Sequence, residues 1–202
     1  MDRLRIAKSR VGEWVAKLRA GAAVYAPVEQ AGTVCFARLP QGAAPNLDYG
    51  NTDVPMKEVL FPQTECLLTW QRLPEGLKVA EVDASEPTVI FGARACDVTG
   101  LSFLDRAFTL GGIEDPYYVR RREKTTIVAA VCPHPVGACF GPSAGVDELS
   151  PVGADVVLTD LGDAYAVEVK SERGRAAVGA AEDCFTPATE GEIGRASCRE
   201  RV

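Results

Sequence analysis

Three cysteines, Cys96, Cys132 and Cys139, are the residues in this sequence best suited to acting together. Cys96 follows the apolar run Val89-Ile90-Phe91-Gly92 by way of Ala93-Arg94-Ala95, with Asp97 beside it. Cys132 closes a second run, "TTIVAAVC", and Cys139 comes a few residues later in "CPHPVGACFG". Thiolates are soft ligands, and three on one rim favour zinc or an iron–sulfur cluster. No C-x2-C pair occurs, so any convergence must come from the fold, and three thiols are one short of a four-cysteine site. Asp97, His134 and an outside molecule are the candidates for the missing donor. Arg94 either pairs with Asp97 or holds an anionic cofactor group. His134, the single histidine, stands between Pro133 and Pro135; it reads first as a surface residue and second as a proton relay or ligand. A cysteine–histidine hydrolase using Cys132 or Cys139 with His134 is the rival chemistry, with nearness in sequence as its sole support. The G-x-G-x-x-G fingerprint and the Walker A pattern are both absent.

Bringing these thiols to one rim requires parallel strands. Short, β-branched, near-continuous apolar runs suit strands covered on both faces, and residues 88–92 and 125–132 are two such runs. The intervening chain contains helical stretches over 98–108 and 117–124, enough for a crossover. A right-handed βαβ unit is predicted. Its strand ends, where α/β proteins gather ligands, carry Cys96 and Cys132. Upstream, Leu4, Val11, Val15 and Leu18 recur at helical spacing with Trp14 beside them, predicting an amphipathic helix between residues 2 and 20 capped by Gly21. Residues 22–27 and 33–39 predict a hairpin, with Cys35 as a packed thiol in its second strand. A loop over 41–55 precedes a helical turn over 56–60. A strand over 65–71 places Cys66 in the sheet, and Pro74-Glu75-Gly76 breaks it. Residues 155–161 and 164–170 alternate around Gly162-Asp163 as another hairpin, and 172–184 is Ala-rich and helical. The fold class is therefore α/β: a mixed sheet with a parallel βαβ unit and hairpins, opened by an amphipathic helix.

The chain has 202 residues, of which 47% are hydrophobic, enough for one buried core. A net charge of −6 argues against a sequence-independent nucleic-acid binder. Arg120-Arg121-Arg122, beside Glu123, reads first as a solvated helix face and second as an anion or partner contact. No apolar stretch reaches the roughly 18 residues of a membrane span, and early charges such as Arg3, Arg5 and Lys8 exclude a signal peptide. A cytoplasmic location is expected, where seven cysteines are thiols, metal ligands or redox groups rather than disulfides.

Several longer runs carry a resemblance: "YGNTDVPMKEVLFPQTE" (49–65), "FGARACD" (91–97), "LDRAF" (104–108), "DPYYVRRREKT" (115–125), "CPHPVGACF" (132–140) and "GADVVLTDLGDAYAVEV" (153–169). Together they resemble the amino-terminal part of an iron–sulfur electron-transfer family. It includes the beta subunits of sulfhydrogenase-type hydrogenases and the iron–sulfur subunits of anaerobic sulfite reductases, all 4Fe–4S dicluster proteins. The resemblance implies a non-catalytic subunit of an anaerobic oxidoreductase complex. Its partners would be a hydrogenase or sulfite reductase catalytic subunit with a terminal metal site, together with a flavin/NAD(P)H-binding subunit. It implies a [4Fe–4S] cluster on Cys96, Cys132 and Cys139, with Arg94 and Asp97 setting the local charge. Members often carry one more cysteine two positions after the match to Cys139, where this sequence has Gly141. The alternative is a docking module without metal that seats a ferredoxin domain. That domain, with two further [4Fe–4S] clusters, is expected outside this chain, which lacks a C-x2-C-x2-C-x3-C run. The closing residues "EIGRASCRERV" resemble a translated sequencing adapter. The expected layout is an electron-transfer-subunit domain over 1–190 and an artefact tail over 191–202, including Cys198, with the C-terminal ferredoxin domain missing.

Overall fold

A computed structural model describes residues 3–132, 139–189 and 191. In chain order its elements are β1 (Arg3–Ala7), α1 (Val11–Leu18), β2 (Ala23–Gln30), β3 (Thr33–Arg38), β4 (Leu68–Leu73), β5 (Gly76–Glu81), β6 (Thr88–Ala93), α2 (Ala95–Thr109), α3 (Pro116–Glu123), β7 (Thr125–Ala130), β8 (Val156–Asp160), β9 (Ala164–Val169), α4 (Glu172–Gly179) and β10 (Phe185–Pro187). The apolar runs end up side by side because each can be covered on both faces. The main sheet has eight strands in the order β10-β1-β9-β8-β7-β6-β2-β3. At its centre β2, β6, β7 and β8 run parallel, and antiparallel strands flank them. The βαβ unit of β6, α2, α3 and β7 is present, with the paired register Thr88 to Thr125.

Alternation along these strands divides the core in two. Val89 and Phe91, Val128 and Ala130, and Val156 and Leu158 join one apolar cluster with α1 and α4. Ile90, Ile127, Ala129 and Val157 face the other way, against Val98 and Leu101 of α2 and Tyr118 of α3. Successive strand residues point to opposite faces, so near-continuous hydrophobicity is what a sheet sandwiched between helices needs. Trp14 anchors the first cluster, edge-on to Phe91 at 4.9 Å and to Phe185 at 5.0 Å. Its indole N–H donates to the Ala177 carbonyl at 2.9 Å, so the one polar atom of the ring is satisfied in the core. α3 starts where the sequence provides an Asp N-cap and a Pro at the first helical position: Asp115 accepts from the amides of Tyr117 and Tyr118.

Several local expectations are corrected. The helix predicted over 2–20 is confined to Val11–Leu18; Arg3–Ala7 is a strand, because "RLRIA" alternates with period two and pairs with both β9 and β10. Cys66 lies outside the sheet: β4 begins at Leu68 and pairs only with β5 in a separate hairpin, leaving Cys66 exposed. The break at Pro74-Glu75-Gly76 belongs to that hairpin's turn, with Leu73 opposite Gly76. The arginine run on α3 is not a free solvated face. Arg120 pairs with Glu81 at 2.6 Å, Arg121 with Glu65, and Arg122 with Asp105 at 3.1 Å, tying the hairpin and α2 to α3. β7 ends at Ala130, so Cys132 follows the strand rather than closing it.

Candidate metal centre

The exits of β6 and β7 lie next to each other, and the geometry there starts from Gly92. Its φ of +85° interrupts the β6–β7 register between Phe91 and Ala93, a bulge that a residue without Cβ adopts at little cost. A Cβ at this position would lie 2.5 Å from Leu47 Cδ2. The Gly92 carbonyl accepts the Tyr49 hydroxyl at 2.7 Å, fixing the 41–55 loop over the strand ends.

Arg94 follows, buried to 2% exposure. It donates to the carbonyls of Ala130 (3.3 Å), Val131 (3.1 Å), Leu47 (3.0 Å) and Tyr49, and its guanidinium lies 3.8 Å from the centre of the Tyr49 ring. One side chain therefore staples the loop to the exits of both strands. Its hydrogen bonds go to carbonyls, and it acts on Asp97 as a nearby charge without an ion pair. Among the described residues, Arg94 Nε is the buried side-chain polar atom without a partner.

α2 begins immediately afterwards, which places Cys96 in its first turn and Asp97 next to it. Partial burial and the Asp97 charge push the Cys96 thiol up, against the backbone amides of Asp97 and Cys96, which favour thiolate. Burial likewise raises Cys132; Arg94 opposes this, and Glu148, Cys96 and Cys139 add to it. Burial also raises the Asp97 carboxyl, against the charges of Arg94 and Lys57. Each of Cys96, Cys132 and Cys139 is thus within electrostatic reach of the others, at the C-terminal ends of two parallel strands. Cys35, Cys66 and Cys184 take no part: Cys35 is half-buried in β3, and Cys184 lies at the far end of the first core. His134 and Cys198 lie outside the described residues.

The three sulfurs are not gathered tightly enough for a single ion. Among the described residues, the one trio of ligand atoms within 4.8 Å of one another is Glu13, Asp183 and Cys184. That trio is already neutralised: Arg10 pairs with Glu13 at 2.9 Å and with Asp183 at 3.3 Å, and Lys17 pairs with Asp183. At the strand exits, by contrast, soft donors stand around a more open space beside a fixed cation. This donor set fits a thiophilic multi-iron group better than a lone ion. Two contributors carry no sequence signal. Tyr49 sits in a loop without periodicity, and Glu148 is one acid among 28 Asp and Glu residues.

The chain is 32% identical over 181 residues to sulfhydrogenase 2 subunit beta of Pyrococcus furiosus, an alignment covering 90% of this chain and 52% of the relative. This similarity supports a sulfhydrogenase beta-like family. The chain spans about half the length of that relative. No family model matches the chain, and no solved structure matches it. Among the described residues, no helix is long and apolar enough to cross a membrane.

Proposed function

We propose that this chain is an iron–sulfur electron-transfer subunit of a hydrogenase-type oxidoreductase complex, relaying electrons between a flavin/NAD(P)H partner and a terminal metal site on a catalytic partner. The observation that carries the reading is the shared neighbourhood of Cys96, Cys132 and Cys139 at adjacent parallel strand ends. The similarity to a sulfhydrogenase beta subunit favours the hydrogenase type over the sulfite reductase type. In this reading the three cysteines provide thiolates. Arg94 supplies a buried positive charge that favours ionised Cys132, and the first amides of α2 favour ionised Cys96. Asp97 tempers that charge at the rim. A [4Fe–4S] cluster bound there would supply one-electron chemistry, with a potential tuned by net charge and by hydrogen bonds to its sulfurs.

The second reading, a docking module without metal that seats a ferredoxin domain, has an observation of its own. The β4–β5 hairpin presents Leu68, Trp70, Leu77 and Val79 on one face, exposed to between 53% and 70%. Electron paramagnetic resonance separates the two. Anaerobically reconstituted protein reduced with dithionite is expected to show a cluster signal integrating to about one spin per chain. No signal and no iron, in a chain that still co-purifies with a flavin subunit, would favour the docking module.

A further inference from the structure

Three thiolates leave one position open on a cluster that takes four protein ligands. The loop following Cys139 is folded so that a carboxylate returns to that cysteine. The amides of Ala144 and Val146 both donate to the Gly141 carbonyl at 3.0 Å, turning the chain back on itself. Asp147 then accepts the amides of Leu149 and Ser150 at 3.1 Å each, fixing the backbone on the far side of Glu148. As a result, a Cβ built on Gly141 would have Cys139 Sγ at 3.7 Å and Glu148 Oε1 at 4.0 Å. Glu148 and Cys139 therefore flank the same small space.

We infer that the Glu148 carboxylate is the fourth protein ligand of the cluster, completing the set begun by Cys96, Cys132 and Cys139. The inference rests on the cluster reading above. Two further observations support it. Glu148 is the strongest negative charge acting on the Cys132 thiol, so it faces a second proposed ligand as well as Cys139. Among the described residues, no hydrogen bond or ion pair engages its carboxylate. Asp97 is the weaker candidate, because Arg94 and Lys57 already act on its charge. A carboxylate is a harder donor than a thiolate and holds its iron less firmly, so one iron of the cluster should be selectively labile.

The test uses the full chain, reconstituted anaerobically with iron and sulfide, as wild type, Glu148→Ala, Glu148→Cys, and Glu148→Ala combined with Gly141→Cys. Iron and labile sulfide are assayed, and resonance spectra are recorded after brief ferricyanide oxidation. Wild type should hold four irons and lose one on oxidation. Glu148→Ala should load only three, with a three-iron signal before any oxidation. Glu148→Cys should hold four irons that resist oxidation. A thiol introduced at Gly141 should restore the fourth iron in the Glu148→Ala background, since its Cβ would lie next to Cys139 Sγ. Equal iron content and identical spectra in wild type and Glu148→Ala would overturn the ligand while leaving the cluster. So would a wild type that holds only three irons. A wild type that takes up no iron overturns the cluster itself, and the ligand with it.

Discussion

Replacing Arg94 with Met should lower the unfolding free energy by about 4 kcal/mol, although the volume change is small and no substrate-facing group is touched. Its guanidinium serves four carbonyls from three segments, Leu47 and Tyr49 in the loop and Ala130 and Val131 at the end of β7. Each buried carbonyl stripped of a charged donor costs on the order of 1–3 kcal/mol, partly recovered where water enters. Lys at this position keeps the charge but not the planar fork, so Arg94→Lys should recover less than half of the loss. Urea denaturation followed by circular dichroism reads both variants, provided the slope stays constant. A loss below about 1 kcal/mol for Arg94→Met would mean that the staple is dispensable.

Gly92→Val should cost about 3 kcal/mol, by two separable routes. A left-handed backbone costs a non-glycine residue about 1–2 kcal/mol, and β-branching makes φ of +85° less tolerable still. The added side chain then meets Leu47 Cδ2, which has to move, and overpacking of this kind costs about 1–3 kcal/mol. Gly92→Ala should lose roughly half as much, because the half-buried Leu47 can rotate away from a single methyl. The same denaturation assay checks both, and a Val variant as stable as wild type would remove the bulge from the account. The two positions act on one thing. Gly92 turns the chain so that Arg94 points inward and α2 starts with Cys96 at the rim.

The centre of the fold is legible in the sequence because its residues are constrained on both faces. Val89 to Phe91 and Ile127 to Ala130 can be little other than sandwiched parallel strands, and the crossover helices follow from the length between them. Local ambiguity defeats the reading at the N-terminus. Leu4 fits helical spacing with Val11, yet β1 is held by pairing with β9 and β10, whose residues lie more than 150 positions away. The arginine run misleads for the same reason, since Glu65, Glu81 and Asp105 are close only after folding. At the candidate site, residue type exposes the cysteines, because few other roles bring three thiols to strand ends. Arg94 is visible as a charge but not as a staple, because its partners are backbone carbonyls, which no side-chain identity announces. Glu148 depends on a turn that periodicity does not reveal.

The central claim is that Cys96, Cys132 and Cys139 form one metal-binding unit. Iron and acid-labile sulfide per chain, measured after anaerobic reconstitution across single Cys→Ala variants, test it most directly. Loading should fall at least several-fold in Cys96→Ala, Cys132→Ala and Cys139→Ala, and should stay at the wild-type level in Cys35→Ala and Cys66→Ala. Iron content independent of all three positions, or absent from the wild type, would contradict the account.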